Sequence, residues 1–295
     1  MTTSEIQSFL AICRYKTVTR AAENLYITQS SLSTRLRTLE RELGSTLFSR
    51  RKGSREMILT SMGKQFFDLA VQYDQIISQM EQLCRKNSIS LRVSSLNSLG
   101  TYVLPAVYEA FLQEHPDIEL EIQDKELGPA CKSIACGLTD LSFATGLGSE
   151  PGTKGFLAFS EPMVLICSKN SSYPSTIDLK NLPIRNEIFV PWCASFDRWH
   201  HLQFGIGAQP QVSISIMEQL KLFIKRENSW AIVPSSVAAG LERVADISRC
   251  DTTEPLPTRE VYCIVSENSD NPAIPYFISC LRKVLETLPE IKSAL

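Results

Sequence analysis

The side chains best suited to chemistry in this chain are crowded into residues 28–55. Thr28, Gln29, Ser30, Ser31, Ser33 and Thr34 are small hydrogen-bonding groups; Arg35, Arg37 and Arg41 follow, and then Arg50, Arg51, Lys52 and Arg55. Hydroxyls and amides on the outer face of a helix can pair with donor and acceptor groups on base edges, and the cations can neutralise phosphates. The chemistry implied is recognition of double-stranded DNA without bond-making. No Gly-rich phosphate loop and no Gly-x-Ser-x-Gly segment occurs in the sequence, so no catalytic residue and no cofactor is assigned.

Such residues need helices to place them. Thr2 and Glu5 have capping-box spacing, opening a helix to about Arg14 with Ile6, Phe9, Leu10 and Cys13 on one face. A second helix is expected from Thr17–Val18 to Leu25, where Ala21 and Ala22 permit a close crossing, with Tyr26-Ile27 as the turn. A third, from Gln29 to Leu43, has Thr28 as N-cap and Gly44 just past its end. Leu32, Leu36, Leu39 and Leu43 fix its buried face, so Gln29, Ser30, Ser33, Thr34 and Arg37 project outward. Leu47–Leu59 holds two short extended patterns around Lys52-Gly53-Ser54, a hairpin signal that adds a wing with Arg51, Lys52 and Arg55 at its tip. Thr60 caps a further helix running to about Lys86. Along it Phe66, Leu69, Tyr73, Ile76, Met80 and Leu83 recur every three or four residues, a heptad seam that would pair two chains and present two recognition helices to a near-palindromic site.

The chain of 295 residues has 30 basic and 32 acidic side chains. Residues 1–64 hold 11 basic and 5 acidic ones, a balance of +6, which leaves 19 and 27 for the remainder, or −8. This asymmetry suggests a nucleic-acid-binding end and a body that does not bind DNA. At 43% hydrophobic, the chain can bury the cores of two or three domains. No apolar run approaches the roughly 20 residues of a membrane helix, and residues 1–9 lack the features of a secretory signal, so a cytoplasmic location is expected. Nine scattered cysteines without a Cys-x-x-Cys suit a reducing compartment, mostly as buried small hydrophobes.

Phe9-Leu10, Thr19, Ala21-Ala22, Leu25, Thr28-Gln29, Ser33, Leu39-Glu40, Leu43-Gly44, Leu47-Phe48, Arg50, Leu59-Thr60 and Gly63 form a pattern whose order and spacing resemble those of the LysR-type transcriptional regulators. One departure lies in Gln29–Ser33, where the family often has a Pro or Ala and a Val; it bears on the preferred operator rather than the fold. The resemblance implies an all-α winged helix-turn-helix domain (residues 1–59), a dimerisation linker helix (60–87) and a two-lobed α/β effector domain like a periplasmic binding protein (88–295). Lobe I would comprise 88–148 and 266–295, and lobe II 149–265. It further implies a homodimer or homotetramer in which a small-molecule effector in the interlobe cleft modulates DNA binding or activation, with RNA polymerase as a further partner.

Residues 88–295 alternate strand and helix patterns, as α/β lobes with a parallel core require. Strands are expected at Leu91–Leu96, Ile118–Gln123, Asp140–Ala144, Met163–Ser168, Val212–Ile216, Trp230–Pro234 and Glu260–Val265, and helices near Tyr102–Glu114, Pro129–Gly137 and Ile274–Leu288. Gly137-Leu138-Thr139-Asp140-Leu141 resembles a Gly-x-x-Asp-Leu element of the family. Ligands of open α/β folds sit at the carboxyl ends of strands. The first such end, Ser95-Leu96-Asn97-Ser98, leads into a helix whose amides favour a carboxylate or other small anion. Asn97 and Ser98 are therefore the leading effector candidates, with Ser195, Met217 and Val233 from the facing lobe; simple helix capping accounts for Asn97 and Ser98 equally well. Adjacent His200 and His201 need not converge on one ion, and no further ligand pattern surrounds them, so no metal is assigned. His115, before Pro116 at a helix end, is a structural position. Two other functions compete: redox sensing through Cys131 and Cys136 or Cys193, and a ligand-binding or enzymatic two-lobed protein with an accessory DNA-binding head.

Overall fold

The computed structural model describes residues 1–50, 56–84 and 89–295. The chain divides into two compact units, Met1–Asn87 and Ser88–Leu295.

The first unit runs α1 (Thr3–Tyr15), α2 (Val18–Asn24), α3 (Gln29–Leu43), β1 (Phe48–Arg50), β2 (Met57–Leu59) and α4 (Ser61–Cys84). The capping box forms as expected: the Glu5 amide donates to Thr2 Oγ1 and the Thr2 amide to Glu5 Oε2 at 2.7 Å. Thr17 and Thr28 cap α2 and α3, accepting from the amides of Arg20 and Ser31. Each removes one of the orphan donors at a helix start. Ala21 and Ala22 are fully buried, and their small size lets α2 lie close on its neighbours. Leu32, Leu36 and Leu39 fill the core from α3. Leu43 does not; it is exposed, as the last helical residue before Gly44 turns left-handed at φ 64°. The hairpin of β1 and β2 is antiparallel, with Phe48 opposite Leu59. Two backbone bonds moor it: Met57 N–H to the Lys16 carbonyl and Thr60 N–H to the Leu47 carbonyl. A Cβ on Gly63 would lie 2.1 Å from that Leu47 carbonyl oxygen, so the start of α4 passes too close for any side chain.

Along α4 the expected seam separates into two faces. Phe66 is buried against Phe9, their rings 4.9 Å apart and edge-on, and the Tyr73 hydroxyl bonds Thr3 Oγ1 at 2.8 Å. Phe66 serves the domain's own core, which corrects its assignment to a pairing seam, and Tyr73 is half-buried against the same core. Leu69, Ile76 and Met80 remain exposed, at 62%, 38% and 57%; the side chain of Leu83 lies outside the described residues.

The second unit begins with β3 (Ile89–Ser95), α5 (Asn97–Tyr102), α6 (Leu104–Glu114), β4 (Ile118–Asp124), α7 (Leu127–Ala135) and β5 (Leu141–Ala144). It continues through β6 (Thr153–Ser168), β7 (Thr176–Ile177), β8 (Ile188–Phe189), α8 (Ala194–Phe204), β9 (Val212–Ser213), α9 (Leu220–Phe223), β10 (Trp230–Pro234) and α10 (Ser235–Leu241). The last elements are β11 (Ile247–Thr252), β12 (Thr258–Ser266), α11 (Ala273–Glu286) and β13 (Lys292–Ser293). In the first lobe β4, β3 and β5 are parallel, and Asp140 fastens β5 to β3 by accepting from the backbone and guanidinium of Arg92. The second lobe departs from the expected parallel core: β10 and β11 both pair antiparallel with β6.

Two hydrophobic cores confirm two lobes. One gathers Leu91, Val93, Phe111, Phe143 and Phe277, the other Leu165, Trp192, Leu220, Trp230 and Val233. Ala158 and Phe159 of β6, and Val261, Cys263 and Val265 of β12, belong to the first. The chain therefore changes lobe inside these two long strands, not at 148/149 and 265/266, because β6 pairs first with β12 and then, from Met163, with β10.

Candidate nucleic-acid interface and effector cleft

On α3 the apolar face is turned inward and the polar one outward. Gln29, Ser30, Thr34, Arg37 and Arg41 are exposed, and Ser31, Ser33 and Arg35 are half-buried. Thr28 is also exposed, its hydroxyl 2.9 Å from that of Ser30. Arg37 Nε donates to the Ser33 carbonyl at 3.1 Å, which lays this guanidinium along the helix. Glu40 points the other way, accepting from the amides of Leu47 and Phe48, so it fixes the corner between α3 and the wing. Arg51, Lys52 and Arg55 lie outside the described residues, as does the side chain of Arg50.

A groove of about 1320 Å³ runs beside α3, lined by Arg14, Lys16, Arg20, Gln29 and Ser33 among others. Its three cations flank the start of α2, and sequence reasoning passed over them. The signal was present, since all three fall within the excess of +6 over residues 1–64. They were hidden because they come from the end of α1 and the start of α2, not from the recognition helix.

In the second unit, the central feature is an ion pair between the strands that join the lobes. Arg259 of β12 stands directly opposite Glu161 of β6, and both are buried, at 1% and 0%. Arg259 Nε and Nη2 donate to Glu161 Oε1, and Nη1 donates to Ser98 Oγ at 2.9 Å. The guanidinium also lies 5.8 Å from the centre of the Trp192 ring. Glu161 Oε2 accepts from the Ser236 amide at 2.9 Å and faces Ser235 Oγ at 3.4 Å. Ser98 comes from lobe I, and Ser235, Ser236 and Trp192 from lobe II. The lobes also touch where Tyr102 packs on Gly240, at which a Cβ would come within 2.2 Å of the ring.

Of the sequence candidates, Ser98 joins this cluster and Asn97 is beside it, with its Oδ1 buried and unpartnered. Val233 and Met217 do not face an opening: both are buried in the lobe II core, Val233 on β10, which is covered on both faces, and Met217 on the short turn before α9. Ser195 is exposed on the first turn of α8, its hydroxyl 3.1 Å from Cys193 Sγ. Arg259 and Glu161 were missed because a paired charge far apart in sequence leaves no periodic signature; Trp192 opens the segment 192–196 expected to face the cleft. The helix after Ser95 is only six residues long, which weakens the argument from a helix terminus.

Comparison with known proteins decides the family. Residues 3–64 match the model of the bacterial regulatory helix-turn-helix protein, lysR family, and residues 85–286 match that of the LysR substrate binding domain. The chain belongs to the LysR family of transcriptional regulators. The HTH-type transcriptional regulator YofA of Bacillus subtilis (strain 168) is 24% identical over 84% of this chain and 86% of that protein. A probable RuBisCO transcriptional regulator of Trieres chinensis is 28% identical over 64% and 62%. Among solved structures, CbnR, a LysR family transcriptional regulator, superposes with a TM-score of 0.75 at 20% identity, covering 96% of this chain and 99% of the other. CbnR complexed with its target DNA gives 0.73, at the same identity, over 96% and 100%.

This LysR-type regulator has a DNA-binding head and an effector-binding body, and its match to a substrate binding domain does not favour cysteine-based redox sensing. Cys131 is buried and Cys136 exposed; a sulfur pair that the sequence did not single out, Cys167 and Cys250, lies 3.3 Å apart across β6 and β11. His200 is buried with Nε2 2.9 Å from Glu187 Oε1, and burial holds the Glu187 carboxyl above the usual carboxylate range. No described helix is long and apolar enough to cross a membrane.

Breaking a buried ion pair from one side strands a charge, which costs about 3–5 kcal/mol, whereas removing both charges costs less. Arg259→Met alone should therefore destabilise the second unit by about 3–5 kcal/mol, and Glu161→Gln added to it should restore part of the loss. Chemical denaturation of the four proteins of this cycle measures both; additive losses would refute the pairing.

Proposed function

We propose that the exposed face of α3 selects the operator sequence. Gln29, Ser30, Ser31, Ser33 and Thr34 carry base contacts there, while Thr28 and Arg35 flank them. Backbone phosphates are held by Arg14, Lys16, Arg20 and Arg37, with the wing residues Arg51, Lys52 and Arg55. The observation that carries this is the groove running from the start of α2 to Gln29 and Ser33, in which Arg14, Lys16 and Arg20 outnumber Glu23 and Glu56. Cations around the edge of a protruding polar helix suit a negatively charged duplex whose groove the helix enters. Two heads are held together by the exposed apolar stripe of α4, and the operator is near-palindromic as a result.

The effector enters between the lobes at the cluster of Asn97, Ser98, Arg259 and Trp192. Support comes from the unpartnered Asn97 Oδ1 beside a buried guanidinium, two groups a small polar ligand can satisfy. An anionic ligand would compete with Glu161 and Ser98 for Arg259. Because Ser98 and Ser236 belong to opposite lobes, an effector that binds one lobe arrangement better shifts the equilibrium between them. The homologues are named as regulators rather than enzymes, and we read this chain likewise, acting in the cytoplasm.

Three outcomes test the reading. Arg20→Ala should weaken binding to all duplexes alike and lower the salt slope by about one, whereas Gln29→Ala should cost about 1–3 kcal/mol at preferred sites and relax the choice of base. Equal losses for both variants on every duplex, in binding titrations at fixed salt, would exclude sequence reading by Gln29. Leu69→Asp with Ile76→Asp should convert the protein to monomers by light scattering, and an unchanged mass would rule out the stripe. In a thermal-shift screen of carboxylates and amino acids, any stabilising compound should lose its effect on Asn97→Leu while DNA affinity is retained; an unaltered shift would move the site elsewhere.

A further inference from the structure

At one end of lobe I, α6 and α11 bring three different donor types together. Glu114 is the last residue of α6, His115 follows it, and Cys280 projects from the middle of α11. Their ligating atoms all lie within 4.8 Å of one another. None of the three belongs to the Arg259 network, and none is part of the DNA-binding unit. We propose that Glu114, His115 and Cys280 form a binding site for a divalent transition-metal ion of zinc's class.

The donor set fits that class. A carboxylate oxygen, an imidazole nitrogen and a thiolate together suit a borderline-soft cation rather than calcium or magnesium, which take oxygen ligands. Zinc bonds such donors at about 2.0–2.3 Å, so a tetrahedral ion holds them about 3.3–3.8 Å apart. The donors, within 4.8 Å of one another, must close by about 1 Å to reach that span. Water would take the fourth position, since Glu114 is exposed.

The scaffold holds the donors in place before any ion arrives. Phe277 of α11 packs on Phe111 and Tyr108 of α6, with ring centres 5.4 Å and 6.0 Å apart. The His115 ring stacks on Tyr276 at 4.5 Å with 18° between planes, which fixes its orientation. The carbonyl end of α6 adds partial negative charge beneath the site. A cation already answers that charge: Lys283 Nζ lies 2.9 Å from both oxygens of Glu114. An arriving metal displaces this ammonium. It also displaces the proton of the Cys280 thiol, whose pKa burial and the Glu114 charge push up. The balance is one thiol and one M²⁺ giving one metal thiolate and one proton, with no change of oxidation state.

Cobalt(II) titration of the full-length protein tests the site, because a cobalt–thiolate bond absorbs in the near ultraviolet. One equivalent should bind with such a band, and zinc should bleach it. Cys280→Ser should abolish the band. His115→Phe should weaken binding by at least roughly tenfold, since even the loss of an outer-shell partner costs that much. Lys283→Met should instead tighten it by roughly two- to fivefold, the value of an exposed charge removed from beside the ion. A band that persists in Cys280→Ser overturns the proposal. So does a Lys283→Met protein that binds no more tightly than wild type, which keeps the test decisive if Cys280→Ser fails to fold.

Discussion

The buried pair of Glu161 and Arg259 is the constraint around which the effector body is arranged. Taking two ions out of water costs several kcal/mol each, and their attraction offsets this only if the remaining lone pairs and protons are also satisfied. Here they are satisfied by groups from both lobes: Ser98 on one side, and the Ser236 amide and Ser235 on the other. The strands that carry the pair are the two that pass between lobes. A rotation of one lobe against the other must stretch or exchange at least one of these bonds. On the proposed effector site, a ligand that alters the partners of Arg259 would act directly on the bonds between the lobes.

The DNA-binding unit depends on smaller bonds placed at its corners. Glu40 faces away from the polar surface of α3 and accepts from the amides of Leu47 and Phe48, which ties α3 to the start of the hairpin. Lys16 adopts φ 62° to end α1, and its carbonyl accepts from Met57 of β2. That bond holds the wing strand against the end of α1, and places the Lys16 side chain in the same groove as Gln29. In the proposed reading, affinity and sequence choice are separated by element: cations at the junction of α1 and α2, amides and hydroxyls on α3. The separation follows from their ranges, since a phosphate contact tolerates a flexible side chain but a base-edge contact requires a fixed one.

How far the sequence disclosed this differs with the range of the interaction. Local signals were legible: Thr2 with Glu5, Thr17, Thr28 and Gly44 all sit at the helix ends they were expected to mark. The strand Trp230–Pro234 was legible to the residue, because a continuous apolar run bounded by Ser229 and Ser235 leaves little choice. The first half of β6 was not. Gly155 and Pro162 interrupt its pattern, and pairing with β12 and β13, far along the chain, makes Thr153–Pro162 a strand. Arg259 escaped for the same reason. A lone arginine near a strand suggests a solvated charge, and its burial follows from a glutamate 98 residues away.

The linker helix carries the same lesson into assembly. A spacing of three and four residues identifies an apolar stripe but not what covers it. Phe66 and Tyr73 are covered by α1, through Phe9 and Thr3, which uses one edge of the stripe to fasten the helix to its own domain. Leu69, Ile76 and Met80 form the other edge and have no such cover. If the exposed edge pairs two chains, as proposed, one helix does two tasks with one pattern, and Phe66 on Phe9 ties the paired helix to the core on which α3 rests.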